Sequence, residues 1–395
     1  MVPVVTSSAG SSADRPLRIG IVCPYSLTVP GGVQAQVLGL ARELRRQGHE
    51  ARVLGPCDGP PPESFVTPLG DSLPTAANGS IAPLAPDASA ALRTIRALRD
   101  EEFDVVHVHE PMVPGPPMTT VTMRPAPLVG TFHAAGQSVS YKIFRPLLLW
   151  LNGRIDRKVV VSKDALELAQ EALGGEYDVL FNGVEEAVIA ATEPTPTDGP
   201  TIFFCGRHEE RKGLAVLLEA FCALPSDARL WIASDGPAGP PLRAQYAGDA
   251  RISWLGRISD PEKFARLRGA SVFCAPSLHG ESFGVVLIEA MAAGTAVVAS
   301  GLDGYRNVAT DGVDALLVAP GDVDALTAAL ADVLTEQPLA DSLRAAGLRR
   351  AGDFSMAKLA AEYVRIYRQL LHDAEREPVG HRPRWRRKPL VHSSQ

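Results

Sequence analysis

Short apolar runs punctuated by Gly and Pro recur along this chain, and segments with helical spacing alternate with them. Residues 18–23, bounded by Pro16 and Pro24, read as a buried first strand. Val33, Val37, Leu40, Ala41 and Leu44 then repeat at helical spacing until Gly48, and residues 51–54 complete a β-α-β unit. Further strands are predicted at 104–108, 128–132 and 158–161, the last leading through Ser162 into a capped helix. Asn182-Gly183-Val184 and residues 194–200 read as a hinge. A second series of strands follows at 201–205, 230–233, 252–255, 272–275 and 296–299, and residues 354–371 read as a long closing helix. Such alternation predicts an α/β protein with parallel sheets.

Two segments depart from this rhythm. Residues 56–86 are rich in Pro, Gly, Ser and Asp with little periodicity, and are expected to form a mobile surface segment. Residues 88–100 read as a helix with Leu92, Ile95 and Leu98 on one side and Arg93, Arg96 and Arg99 beside them. That basic amphipathic pattern suits an anionic lipid surface and equally a solvated face.

Composition narrows the class. The 395 residues suffice for two domains of ordinary size, and 46% hydrophobic with 21% charged residues is a globular balance. A net charge of −6 argues against nucleic acid as the main partner. The five cysteines (Cys23, Cys57, Cys205, Cys222 and Cys274) show no metal spacing and are expected to be reduced thiols in a cytosolic protein. No apolar run reaches membrane-spanning length. Residues 1–16 lack the charged and apolar regions of a signal peptide and read as a disordered leader, whereas residues 372–395 form a basic tail.

Candidate chemistry concentrates at the ends of the strands. Glu281 and Glu289 lie eight residues apart around Gly284, between a strand and a helix. Such a junction offers free amides and the positive end of a helix dipole to a phosphate. Arg207 and Lys212 flank a turn after the strand at 201–205, as a clamp for a departing diphosphate would. Gly31-Gly32 before the first helix lets backbone approach a bulky ligand. His133 follows a strand at the edge where α/β folds bind ligands. His107 and His109 share one strand face without a third ligand at metal spacing. Asp322-Val323-Asp324 resembles the metal-binding D-x-D of another transferase class, but its place at a helix start reads as a cap.

The stretch from Glu281 through Gly294 resembles the E-x7-E signature of retaining GT-B glycosyltransferases. Within that class, residues 18–25, 29–34, 107–111, 131–133 and 281–294 resemble the actinobacterial phosphatidylinositol mannosyltransferases, and the likeness spans most of residues 17–371. The resemblance implies two Rossmann-like domains facing across a cleft. Residues 17–195 would form the acceptor side and residues 196–353 the nucleotide-sugar side, with the helix at 354–371 crossing back. It implies transfer of mannose from GDP-mannose to a phosphatidylinositol-type lipid, by a cytoplasmic enzyme peripheral at the inner membrane face.

Carried over by residue, Gly32 approaches the donor diphosphate and Arg207 and Lys212 hold it. Ile258, Asp260 and Lys263 surround the guanine, Glu281 meets the mannose, Val285 and Val286 run along the diphosphate, and Glu289 meets the ribose. His133 lies near the reacting sugar, and Tyr25 and Gln34 lie on the acceptor side. Arg93, Arg96 and Arg99 contact the anionic membrane. No tightly bound cofactor is implied. A divalent cation such as Mg²⁺ is compatible with the donor, but no site for it is identified.

The chain departs from the family in three places. The segment between Arg207 and Lys212 is one residue short. Pro83 closes a loop where an arginine would meet the lipid head group. Ala134-Ala135-Gly136-Gln137-Ser138 replaces a run of Thr and Ser with a lysine. The donor half is therefore the better match. Another donor, a soluble or polysaccharide acceptor, and a non-catalytic nucleotide-sugar-binding role remain as alternatives.

Overall fold

The computed structural model describes residues 15–77, 80–134, 144–281 and 283–376. The leader at 1–16, the basic tail at 372–395 and the loops around 78–79 and 135–138 lie wholly or mostly outside them, as does Ser282.

In the first lobe, strands β1 (Arg18–Val22), β2 (Glu50–Gly55), β3 (Val66–Pro68), β6 (Val105–His109), β7 (Leu128–Phe132), β8 (Arg157–Val160) and β9 (Asp178–Val179) form one sheet in the order β3-β2-β1-β6-β7-β8-β9. A hairpin of β4 (Leu73–Ala77) and β5 (Ser80–Leu84) stands apart. In the second lobe, β10 (Thr201–Cys205), β11 (Arg229–Ala233), β12 (Ile252–Gly256), β13 (Val272–Ala275), β14 (Ala296–Ser300) and β15 (Leu316–Val318) run in the order β12-β11-β10-β13-β14-β15. Every pairing in both large sheets is parallel. Parallel strands are covered on both faces, which is why β6, β7 and β14 are buried along their whole length and read as continuous runs. Each sheet reverses its order once, between β1 and β6 and between β10 and β13. Those switch points are where doubly wound sheets open a crevice at the strands' carboxyl ends.

One face of the first sheet packs on the helix Gly32–Arg46 and on the final helix Met356–Arg376, through Val37, Leu40, Leu44, Tyr363, Ile366 and Tyr367. The other face packs on Leu98, Val121, Leu148, Leu151 and Ala165 from four further helices. The chain thus leaves the second lobe's core at Phe354, and the final helix packs on the first lobe from Met356 onward. The two chain crossings between lobes lie side by side. Val184 N donates to Phe354 O at 2.9 Å, Met356 N to Val184 O at 2.9 Å, and the Gln36 side chain brackets Gly183 with bonds of 2.7 and 2.9 Å. Val184 and Ile189 are buried in the second lobe's core, so the chain has changed lobes by residue 184, ahead of residues 194–200.

Two local expectations are corrected. Residues 56–86 are not a featureless segment: β3 extends the main sheet by pairing Val66 with Val53, and the hairpin follows. Three-residue strands and a Pro-containing hairpin carry too little periodicity to show in sequence. In the helix Ala88–Asp100 the buried stripe is Ala90, Thr94 and Leu98, small side chains that allow close packing, whereas Leu92 is 67% exposed. Leu92, Arg96 and Arg99 therefore share an outer face, while Arg93 reaches back to Leu69 O at 3.4 Å.

Candidate functional site

The loops at the second switch point are stitched together by backbone. After β10 the chain makes a single 3-10 turn at Glu210–Lys212 and reaches Gly213, whose φ is +69°. A Cβ there would lie 1.9 Å from Pro276 O, so only glycine admits this approach of the two loops. Leu278 N donates to Arg211 O at 2.7 Å across the same seam. Gly284, at φ +89°, starts the helix Val285–Ala292 with no side-chain cap, and a Cβ there would meet Tyr305 at 2.7 Å. The first turn of that helix, with Val285 and Val286, carries amide donors free of a capping side chain.

This seam brings Lys212 onto Glu281, with Nζ to Oε1 at 2.5 Å. Ser277 Oγ donates to the same carboxylate at 3.0 Å and also meets the Tyr305 hydroxyl at 3.0 Å. Arg211 lies 3.5 Å from Glu281 and 2.8 Å from Glu209. Arg207 does not reach Glu281: it pairs with Glu209 at 2.9 Å and is half exposed. The expected cationic pair of Arg207 and Lys212 is thus a trio with Arg211 between them, joined through Glu209. Sequence reasoning passed over Arg211, Glu209, Ser277 and Tyr305, although Arg211 stands next to Lys212 in an obvious Arg-Lys step.

Deeper in the same lobe, Lys263 joins Glu289 at 2.8 Å and Asp260 at 3.1 Å. Burial works against the Lys263 charge, but Glu289 and Asp260 outweigh it and hold the ammonium protonated above its ordinary range. Asp260 sits in the first turn of a helix capped by Ser259, which donates no charge but accepts from Glu262 N. Ile258 packs partly buried against the second-lobe core just before it. Of the residues expected around a guanine and a ribose, Asp260, Lys263 and Glu289 are therefore one ion-paired unit.

At the first switch point Gly32 opens its helix in free space, since a Cβ there would meet nothing within 4 Å. Gln34 is turned inward, its Nε2 donating to Val29 O at 3.1 Å and Ser26 O at 3.3 Å, so its amide braces the loop that Tyr25 enters. Tyr25 bridges to Leu84 of the hairpin, and burial raises its phenol above the usual range. His133 Nε2 lies 2.9 Å from His109 Nδ1. His107 lies tilted by 30° against His109 at 4.4 Å between centroids and bonds Tyr367 and Thr131, each at 2.7 Å. Both ring nitrogens of His107 are thus taken, His109 uses Nδ1 and keeps a buried Nε2 without a partner, and among the described residues no cluster of three metal-ligating side chains occurs. Asp322 accepts from Ala325 N at 2.9 Å, as a helix cap does.

Burial lowers the pKa of His107 to about 3 and of His133 to about 4, so these rings are neutral near pH 7. Glu110, in the left-handed region at φ +48°, is buried, and burial raises its carboxyl to about 7. Amides of His133 and Ala134 pull in the opposite direction without offsetting that cost, the His133 N bond being 2.7 Å. Near the lobe crossing, Phe181 stacks on Phe283 at 5.3 Å, and both rings meet Phe354 edge-on.

Two doubly wound lobes, each with charged loops at its switch point, belong to the GT-B architecture of sugar-nucleotide enzymes. The comparisons agree. The family described as Glycosyl transferases group 1 matches residues 199–336, and Glycosyltransferase Family 4 matches residues 30–188. The phosphatidyl-myo-inositol mannosyltransferase of Mycolicibacterium smegmatis is 39% identical over 369 residues, covering 89% of this chain and 93% of that protein. The enzyme of the same name from Propionibacterium freudenreichii is 33% identical over 323 residues, covering 75% and 80%. Among solved structures, sucrose-phosphate synthase from Thermosynechococcus elongatus has a TM-score of 0.69 at 20% identity, covering 90% of this chain and 99% of that one, a likeness of fold. The chain belongs to the family 4 glycosyltransferases, the group that holds the phosphatidyl-myo-inositol mannosyltransferases.

Proposed function

We propose that this glycosyltransferase moves mannose from GDP-mannose to a phosphatidylinositol-type lipid, with retention of configuration, at the cytoplasmic face of the membrane. The observation that carries the reading is the convergence of Lys212 and Arg211 on Glu281 at the second switch point, with Arg207 joined to them through Glu209, beside an uncapped helix start. The acceptor and the sugar are those of the phosphatidyl-myo-inositol mannosyltransferases to which the chain is 39% identical.

In this reading Glu281 accepts hydrogen bonds from the mannose hydroxyls. Lys212, Arg211 and Arg207 meet the diphosphate, whose negative charge grows as the anomeric C–O bond breaks. Amides of Val285 and Val286 add donors at the helix start, with Gly32 opposite leaving room for the phosphates. The Lys263–Glu289–Asp260 unit receives the nucleoside, Glu289 facing the ribose. Glu110, the first-lobe carboxyl that meets His133, is 3% exposed and engaged by the His133 amide. Same-face attack by an inositol hydroxyl therefore fits better than a covalent glycosyl-enzyme. The new C–O bond forms as the old one breaks, and the hydroxyl proton passes to the departing phosphate oxygen. His133, neutral near pH 7, is a hydrogen-bond partner for the sugar rather than a charge. Tyr25 and the Gln34-braced loop border the acceptor side. Arg96 and Arg99 face outward where an anionic surface would lie. No helix among the described residues is long and apolar enough to cross a membrane.

Donor choice is tested by thermal shift with GDP-mannose, GDP, UDP-glucose and UDP-GlcNAc at equal concentration. A ligand at about 100 times its Kd stabilises by about 2.7 kcal/mol. GDP-mannose should raise Tm most, and a larger rise with a UDP-sugar would reject the donor assignment.

A further inference from the structure

The helix Arg145–Asn152 is dressed the wrong way round for a surface helix. Leu148 and Leu151 are buried in the first lobe's core, as its inner face requires. Its outer face is apolar too: Phe144 just before it is 56% exposed, Leu147 47% and Trp150 50%. These three lie at spacing i, i+3, i+6, so they form one ridge, and Leu149 is exposed beside it. Four of the ten large apolar side chains exposed among the described residues thus fall within seven positions. Scattered exposed leucines need no explanation, whereas a contiguous aromatic and aliphatic ridge marks a contact surface.

Charge indicates what meets it. From residue 111 to residue 155 the chain has no Asp or Glu, while Arg124, Lys142, Arg145 and Arg154 fall within that span. Asp and Glu number 45 in 395 residues, a density that puts about five in any stretch of that length. Two arginines, Arg145 within the ridge and Arg154 after it, are seated on backbone carbonyls. Arg154 donates to Val121 O at 3.0 Å and Thr122 O at 2.8 Å, with its Cζ 4.8 Å over the Trp150 ring. Arg145 donates to Ala172 O at 3.3 Å. Arg154 therefore fixes the indole and the end of the helix together. Trp beside Arg on an apolar ridge is the pairing favoured at the headgroup level of a bilayer. The ridge begins eleven residues after His133. It also belongs to a continuous helical layer: the helix Ala88–Asp100, with Leu92, Arg96 and Arg99 outward, packs on Pro116–Met123, which packs on Arg145–Asn152.

We propose that Phe144, Leu147 and Trp150 are the apolar foot by which the first lobe enters the headgroup region of an anionic bilayer, with Arg145 and Arg154 meeting lipid phosphates. This rests on the lipid-acceptor reading above and goes beyond it, because it moves the main hydrophobic anchor from the basic helix Ala88–Asp100 to a different helix. The Ala88–Asp100 helix offers one exposed leucine, and its Arg96 lies 3.5 Å from Asp100. That helix adds charge to the footing, and the Arg145–Asn152 ridge adds insertion. A second copy of the chain is the rival occupant, but the span that carries the ridge holds four basic residues and no acid, so pairing it with itself would set like charges against each other.

The test uses the full chain and two vesicle preparations, pure phosphatidylcholine and phosphatidylcholine with 30 mol% phosphatidylinositol, the compositions being roughly those that separate charge from insertion. Sedimentation should show the paired variant L147E/W150E losing about tenfold or more in partitioning onto the anionic vesicles, with unchanged Tm and an unchanged Tm rise on adding GDP-mannose. W150F should bind nearly as the parent. Brominated acyl chains should quench the parent's tryptophan emission, and the quenched component should be absent in W150F, a readout that does not depend on the paired variant folding. Undiminished binding by a folded L147E/W150E together with equal quenching in W150F would overturn the proposal. So would a parent dimer that the paired variant dissolves without loss of vesicle binding. Failure of mannosyl transfer with vesicle binding and Trp150 quenching intact would reject the lipid-acceptor reading and leave this surface standing.

Discussion

Lys212 and Glu281 are held 2.5 Å apart by two loops that meet at Gly213 and Pro276. Neither side chain is more than one-fifth exposed, so the pair is preformed at the switch point. Each charge neutralises the other, and in the proposed reaction the donor separates their tasks between phosphate and sugar.

Replacing Lys212 with Ala should lower kcat/KM by about 10²- to 10³-fold, roughly 3–4 kcal/mol of transition-state stabilisation. K212R should recover part of it, since a guanidinium keeps the charge but not the compact geometry. E281Q should raise KM for the donor as well as lower kcat, because Glu281 meets the sugar in both ground and transition states. Steady-state kinetics with varied donor checks this. Changes under threefold in all three variants would remove the pair from the mechanism.

Lys263 and Glu289 behave as a buried pair, with side chains 15% and 11% exposed. K263A leaves the Glu289 carboxylate without its partner and should destabilise the protein by about 3–5 kcal/mol in chemical denaturation. Replacing both with apolar residues, K263M/E289L, should cost much less stability. Donor binding should fail in the double variant nonetheless, which separates the structural share of this pair from its binding share.

The strands and the acidic signature were legible because each is local. Buried parallel strands show as unbroken apolar runs, and Glu281 and Glu289 are eight residues apart. What stayed hidden depends on closure in space. Lys212 and Glu281 come together only when β10 and β13 become neighbours. Glu209 ties Arg207 to Arg211 through a bend that no spacing announces. Tyr363 and Tyr367 look like ordinary core residues of an amphipathic helix until they meet Thr131 and His107 across the sheet. Leu92 was misplaced because small residues, Ala90 and Thr94, took the packing stripe that its size suggested for it.

Glu110 sets a pH dependence of stability. Its carboxyl titrates near 7 in the folded state against 4.5 in its ordinary state, so the folded protein binds the proton more tightly. Its contribution is present below pH 4.5 and is lost as pH rises to about 7 and beyond. E110Q should therefore match the parent at pH 4.5 to 5 and exceed it at pH 8 by up to about 3 kcal/mol. The buried histidines have the opposite sign. With pKa values lowered to about 3 for His107 and about 4 for His133, they cost stability as pH falls below 6.5, in the parent and in E110Q alike. Denaturation midpoints of both proteins between pH 4.5 and 8 read the two effects separately.

Sugar transfer onto a membrane lipid is tested most directly by identifying the product. Purified protein is incubated with GDP-[¹⁴C]mannose and vesicles containing phosphatidylinositol, and the lipid extract is resolved and treated with α-mannosidase. The account expects label in a phosphatidylinositol-derived lipid, released by α-mannosidase and absent with K212A. Label that stays in the aqueous phase on another acceptor, or no transfer from a donor that demonstrably binds, would contradict it.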